Sequence, residues 1–149
     1  MKAPITRIVV ADGFRARLFD NHGIGDGLRP GDPAQLSSDH PPSREIVSDR
    51  PGATRDRVGK ALHAYAPKND PKDQEKHKFV ARLGKLLTDQ AGRGAFARLV
   101  LVADPKTLGQ LRETLGKPAR QRLHAELDKD LTHLTEREIA EHLAPVVAI

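Results

Sequence analysis

Two runs in the interior of the chain are apolar without interruption, Ile8-Val9-Val10-Ala11 and Leu99-Val100-Leu101-Val102-Ala103. A strand buried on both faces has no solvent side to fill with polar residues, so it reads as a continuous apolar run. The pattern predicts two central strands, over residues 5–11 and 98–103. Asp12-Gly13 follows the first run. Asp-Gly between strand-like segments predicts a tight hairpin. Its second arm, residues 14–19, alternates Ala16 and Leu18 with Arg15 and Arg17. One face of that arm is buried and the other presents arginines. Residues 44–49 are the candidate third strand.

Helical periodicity takes over later in the chain. Phe79, Val80, Leu83, Leu86, Leu87 and Ala91 recur with the 3.6-residue period of an amphipathic helix. The helix is expected to begin near Pro71, capped by Asn69 or Asp70, and to end at Gly92 and Gly94. Asp104-Pro105 opens a second helix, with Asp104 as N-cap and Pro105 in the first turn. Leu108, Leu111 and Leu115 form its apolar stripe, and Gly116 closes it. Leu123, Ala125 and Leu127 alternate with His124, Glu126 and Asp128, the pattern of a half-buried strand. Thr135 and Glu138 form a capping box for a last helix, with Leu134 and Ile139 as its hydrophobic staple. Ile139, Ala140, Leu143 and Val147 then face the core.

The order β-β-β-α-β-α-β-α predicts a single α/β domain over residues 1–149. Its five strands form one mixed sheet with helices on its faces. This is a ribonuclease H-like order of elements. Residues 22–78 hold seven of the eleven prolines and six of the twelve glycines, so a Pro/Gly-rich loop region is expected over about 22–70.

Composition narrows the function classes. Aromatic residues are 3% of the chain and Trp is absent, which excludes a base-stacking platform as the main binding device. With no Cys there is no disulfide, thiolate nucleophile or Cys-ligated zinc. The net charge is +5. Residues 41–98 carry thirteen Lys/Arg against seven Asp/Glu, so the positive excess lies in the middle third. The first residues hold no signal-peptide apolar region, and no apolar run approaches the ~20 residues of a membrane helix. A cytoplasmic protein with no membrane partner is expected.

Several segments together resemble one bacterial family. They are residues 8–19, residues 94–103, Leu108-Gly109-Gln110-Leu111-Arg112, and Glu126-Leu127-Asp128-Lys129-Asp130-Leu131-Thr132-His133-Leu134. The sequence resembles the host attachment protein family, named for attachment of bacteria to host cells. The last motif is the most specific, with Asp128, Lys129, Asp130, Thr132 and His133 as its polar members. The resemblance implies a distant relation to the middle domain of archaeal and eukaryotic peptide-chain release factors, which has this ribonuclease H-like order. In those factors a Gly-Gly-Gln loop enters the peptidyl-transferase centre. This chain has no Gly-Gly-Gln, and its Gly109-Gln110 lies in a predicted helix. Peptide release is therefore not carried over.

Three groups of residues carry candidate chemistry. Asp12 and Asp104 end predicted central strands, and Asp128 and Asp130 lie at the end of the last one. Carboxylates converging there have the chemistry to hold Mg²⁺ for phosphodiester cleavage. Turn and cap roles account for Asp12 and Asp104 equally well. The polar 128–133 motif is either a binding loop or the backbone-satisfying turn before the last helix. The basic set comprises Arg15 and Arg17 on the hairpin, Lys72, Lys76, Arg82 and Lys85 on the long helix, and Arg93 after it. Arg50, Arg55, Arg57 and Lys60 add to it in the loop region. Together they have the chemistry to track phosphates.

Other machinery is missing from the sequence. The seven histidines show no His-x-x-x-His spacing with a Glu, so no metal site or cofactor is expected. No Walker loop, dinucleotide fingerprint or nucleophile elbow occurs. The expectation is a non-enzymatic binding protein with RNA or the ribosome as partner, acting indirectly on attachment. The alternatives are an Mg²⁺-dependent nuclease and a protein-interaction module that uses the loop region.

Overall fold

The computed structural model describes residues 4–39 and 71–149. Five strands form one mixed sheet: β1 (Thr6–Ala11), β2 (Arg15–Asn21), β3 (Arg29–Ser37), β4 (Arg98–Ala103) and β5 (Leu123–Asp128). Four helices accompany them: α1 (Pro71–Gly92), α2 (Pro105–Thr114), α3 (Lys117–Arg120) and α4 (Glu136–Leu143). The strand order is β3-β2-β1-β4-β5. The β1–β2 and β2–β3 pairs are antiparallel, while β1–β4 and β4–β5 are parallel.

The two continuous apolar runs lie side by side at the centre, where each is covered on both faces. Val9, Ala11, Leu99, Leu101 and Ala103 point to one side, where Phe79, Leu83 and Leu87 of α1 and Leu108 and Leu111 of α2 cover them. Ile8, Val10, Val100 and Val102 point to the other side, against Leu131 and the Ile139, Leu143 and Val147 stripe of the C-terminal segment. The hairpin turn is also as expected. Asp12 Oδ1 accepts the Phe14 and Arg15 N–H groups at 2.7 and 2.8 Å.

Three expectations are corrected. The stretch 29–37 is strand β3, not loop. Among the described residues β3 lies at the edge of the sheet, where a missing N–H at Pro30 or Pro33 need not break an internal ladder. The pairing with β2 shifts register between Arg17 and Phe19, which accommodates the irregular sequence. The strand candidate at 44–49 and the basic residues Arg50, Arg55, Arg57 and Lys60 lie outside the described residues.

The simple alternation read in β5 is broken by a register shift. Leu99 pairs with Leu123 but Val100 pairs with Ala125, leaving His124 as an extra residue. Leu123 therefore packs with the α1/α2 side, while Ala125 and Leu127 pack with the α4 side. The third correction is the one-turn helix α3, with Pro118 in its first turn, which adds an element to the expected order.

The capping box before α4 is formed in full. The Glu138 N–H donates to Thr135 Oγ1 at 3.1 Å, and the Thr135 N–H donates back to Glu138 Oε1 at 2.9 Å. The Thr135 N–H, and after it the Thr135 hydroxyl, hold the Glu138 carboxyl below the ordinary carboxylate range. A lowered folded-state pKa means that the carboxylate stabilises the fold above its unfolded pKa, near 4.3, and that this is lost as pH falls through the lower folded value. Glu138→Gln keeps the acceptor but cannot titrate. Its melting temperature is expected to fall less steeply than the parent's below about pH 4.3, the unfolded value. Parallel acid limbs in the two pH–melting curves would contradict the linkage.

Candidate functional site

The three parallel strands β1, β4 and β5 all end on the same edge of the sheet. The chain leaves β1 toward β2 and leaves β4 toward β5, in opposite directions. A crevice at the carboxyl ends follows from such a divergence. A cleft of about 270 Å³ opens there, and Asp12, Asp104 and Asp130 line it. Lys76 reaches it from α1, and Lys106, Thr107 and Gln110 reach it from α2. Three of the four candidate carboxylates are thus brought to one place. The fourth, Asp128, is exposed at the end of β5 and is not among the cleft's lining residues.

Each carboxylate has local work as well. Asp104 caps α2 by accepting the Thr107 N–H at 3.2 Å. Asp12 spends Oδ1 on the hairpin, while its Oδ2 lies 3.4 Å from the Thr132 hydroxyl and 3.7 Å from the Arg15 guanidinium. Asp130 accepts both the N–H and the hydroxyl of Thr132, at 3.1 and 2.6 Å. Asp12 and Thr132 meet although they lie 120 residues apart in the chain.

The 128–133 motif is consequently a docked loop. β5 stops at Asp128, so Asp130 does not share a strand face with Glu126 as continued alternation would have it. Glu126 is held instead by Arg112 of α2 through two N–H donors. Leu131 and Thr132 are buried, whereas Lys129, Asp130 and His133 are exposed. Arg17 donates to the Thr132 and Leu134 carbonyls and ties the loop to the hairpin. That contact engages Arg17 with protein carbonyls. One donor atom each from Asp12, Asp130 and His133 lie within 4.8 Å of one another.

The basic residues are spread over the surface and do not gather in one place. Lys76 is half-buried at the cleft, with its ammonium 5.4 Å from the centre of the Phe14 ring. Its stem lies against Gly13, where an added Cβ would come within 2.6 Å of Lys76 Cγ. Gly13 therefore does more than make the turn. Arg15 is exposed beside the cleft and, with Arg17, Gln35 and Ser37, lines a wider groove of about 720 Å³. Arg82 sits on the flank of α1, bonded to Asp39 at 3.2 Å and to the Ser37 carbonyl. Lys85 is exposed further along the same helix. Arg93 follows the far end of α1, at the amino edge of the sheet. Lys72 is exposed in the first turn of α1.

Two contributors escape sequence reasoning. Lys106 and Gln110 are cleft residues, and their signal was available in the i, i+4 spacing after the Asp104 cap. His133 is already a polar member of the 128–133 motif in the sequence; its meeting with Asp12 comes through tertiary docking.

A family profile described as protein required for attachment to host cells matches residues 7–143. No curated protein matches the chain. Among the described residues, no helix is long and apolar enough to cross a membrane.

Proposed function

The chain belongs to the host attachment protein family, and from that premise we propose that it is a cytoplasmic RNA-binding protein whose contact surface is the carboxyl edge of the sheet. The observation that carries this reading is the cleft, where Lys76 and Lys106 stand at the switch point between β1 and β4 with Arg15 exposed beside it. Phosphate oxygens are the acceptors that such ammonium groups recognise. The three cleft carboxylates limit the positive field, so they favour an extended backbone that touches several cations over a single tightly held anion. The strand order and the helices on both faces support the ribonuclease H-like reading of the fold. A ribosomal RNA target fits the release-factor relation that the family resemblance implies. Effects on attachment would then be indirect, through the RNA partner.

Fluorescence anisotropy with a labelled single-stranded RNA tests the proposal. Three phosphate contacts predict an affinity loss of roughly 20-fold between 50 and 200 mM salt, at about −0.7 per contact in the logarithmic slope. Base preference should be slight, because aromatic residues are 3% of the chain. Absence of binding at 50 mM salt rules the reading out. Mg²⁺-dependent shortening of the RNA would instead move the assignment to the nuclease alternative.

A further inference from the structure

At the cleft lies a set of metal-ligating donors that phosphate contacts do not engage, two of them, Asp12 and Asp130, in the cleft's own lining. Asp12 comes from the end of β1, and Asp130 and His133 come from the loop between β5 and α4. One carboxylate oxygen from each Asp and one ring nitrogen of His133 lie within 4.8 Å of one another. We propose that these three side chains form a binding site for a first-row transition dication of the Zn²⁺ type, in preference to Mg²⁺.

The donor chemistry sets the choice of ion. Two carboxylates alone would suit Mg²⁺ or Ca²⁺, which take oxygen ligands. An imidazole is a poor ligand for those ions and a good one for zinc and its neighbours. Three protein ligands with a remaining open position is a common zinc arrangement. Donors on one Zn²⁺, each at about 2.1 Å, are at most about 4.2 Å apart. In a tetrahedral set the spacing is about 3.4 Å, so donors within 4.8 Å of one another are of a size to close on an ion by small side-chain movements.

The donors are also held in advance. Asp12 uses Oδ1 on the hairpin N–H groups, which fixes its carboxylate and leaves Oδ2 turned toward Thr132. The loop bearing the other two donors is anchored by buried Leu131 and by the Arg17 contacts to its carbonyls. Among the described residues, Asp130 has no ion-pair partner, and Asp12 has only the 3.7 Å contact to Arg15. A dication would offset the repulsion between the two carboxylates and join the end of β1 to the loop before α4.

Isothermal titration of the intact protein with Zn²⁺ alone, at low salt and neutral pH, tests the site. The expected result is a one-to-one binding event, with His133→Ala and Asp130→Asn each weakening it at least tenfold. Mg²⁺ should bind at least tenfold more weakly than Zn²⁺. His124→Ala, on the bulge of β5, should leave the event unchanged. Zn²⁺ should also raise the melting temperature of the parent and not that of His133→Ala. Both substituted side chains are exposed, and circular dichroism of each variant checks that the fold is kept. An isotherm that is the same for the parent, His133→Ala and Asp130→Asn overturns the proposal. No RNA is present in the titration, so its failure is separate from failure of the RNA reading.

Discussion

Val100→Asp is expected to abolish the cooperative thermal unfolding of this protein. Val100 is 0% exposed in the middle of β4, with β1 paired on one side and β5 on the other. Its side chain belongs to an apolar cluster with Ile8, Val102, Ile139 and Leu143. A carboxylate placed there has no partner, and burying an unpaired charge costs several kcal/mol after relaxation. Losing the valine's own burial adds about 1.5–3 kcal/mol. Domains of this kind are stable by only about 5–15 kcal/mol in total. Val100→Ala supplies the graded comparison. It should cost about 2 kcal/mol and lower the melting temperature by about 4–8 °C. A soluble Val100→Asp variant with the parent's melting curve would remove β4 from the sheet centre.

The same two runs explain why the centre of the fold was legible in the sequence. A strand covered on both faces must be apolar at every position, and Ile8–Ala11 and Leu99–Ala103 both meet that condition. Local backbone chemistry was equally plain, since Asp12, Asp104 and Thr135 act on groups within three residues of themselves. The sheet edges were harder to read. β3 carries Pro30, Gly31 and Pro33, which a strand sequence normally avoids, and its edge position among the described residues makes them acceptable. β5 hides its register behind one extra residue at His124, and no alternation rule announces a bulge. The helix α3 is too short to show a period.

The site divides along the same line. Asp12 and Asp104 could be placed at strand ends from the sequence, because each immediately follows an apolar run. That Lys76 and Lys106 face the same cleft depends on how α1 and α2 lie across the sheet, which composition does not reveal. Arg17 shows the reverse case. Alternation reads it as solvent-facing, whereas it is half-buried and its guanidinium is engaged by the Thr132 and Leu134 carbonyls. A charge count along the chain assigns such a residue to the binding surface, whereas tertiary contacts assign it to the fold. The histidine of the motif, already a candidate beside Asp130 in the sequence, meets Asp12 through the docking of the loop.

Location of the RNA contact gives the second large effect. Lys76→Glu combined with Lys106→Glu should weaken RNA binding at least tenfold at 50 mM salt and reduce the logarithmic salt slope by about 1.4, the share of two single-strand contacts. Lys85→Glu should change affinity far less. Lys85 lies about 14 Å further along α1 than Lys76, at 1.5 Å per residue. At 0.1 M salt the screening length is about 10 Å, so an exposed charge at that distance acts weakly on the cleft. Lys76→Gln separates charge loss from charge reversal and should show an intermediate effect. The carboxylates give the opposite sign. Asp104→Asn retains an N-cap acceptor for Thr107, so α2 should keep its start. Removing that negative charge from the cleft should raise RNA affinity, because a carboxylate repels a neighbouring phosphate. Anisotropy titrations of the four variants at two salt concentrations read all of these effects together. Equal losses from Lys85→Glu and from the cleft pair would move the contact surface onto the flank of α1. An affinity lowered by Asp104→Asn only when Mg²⁺ is present would give the cleft carboxylates to metal-assisted chemistry.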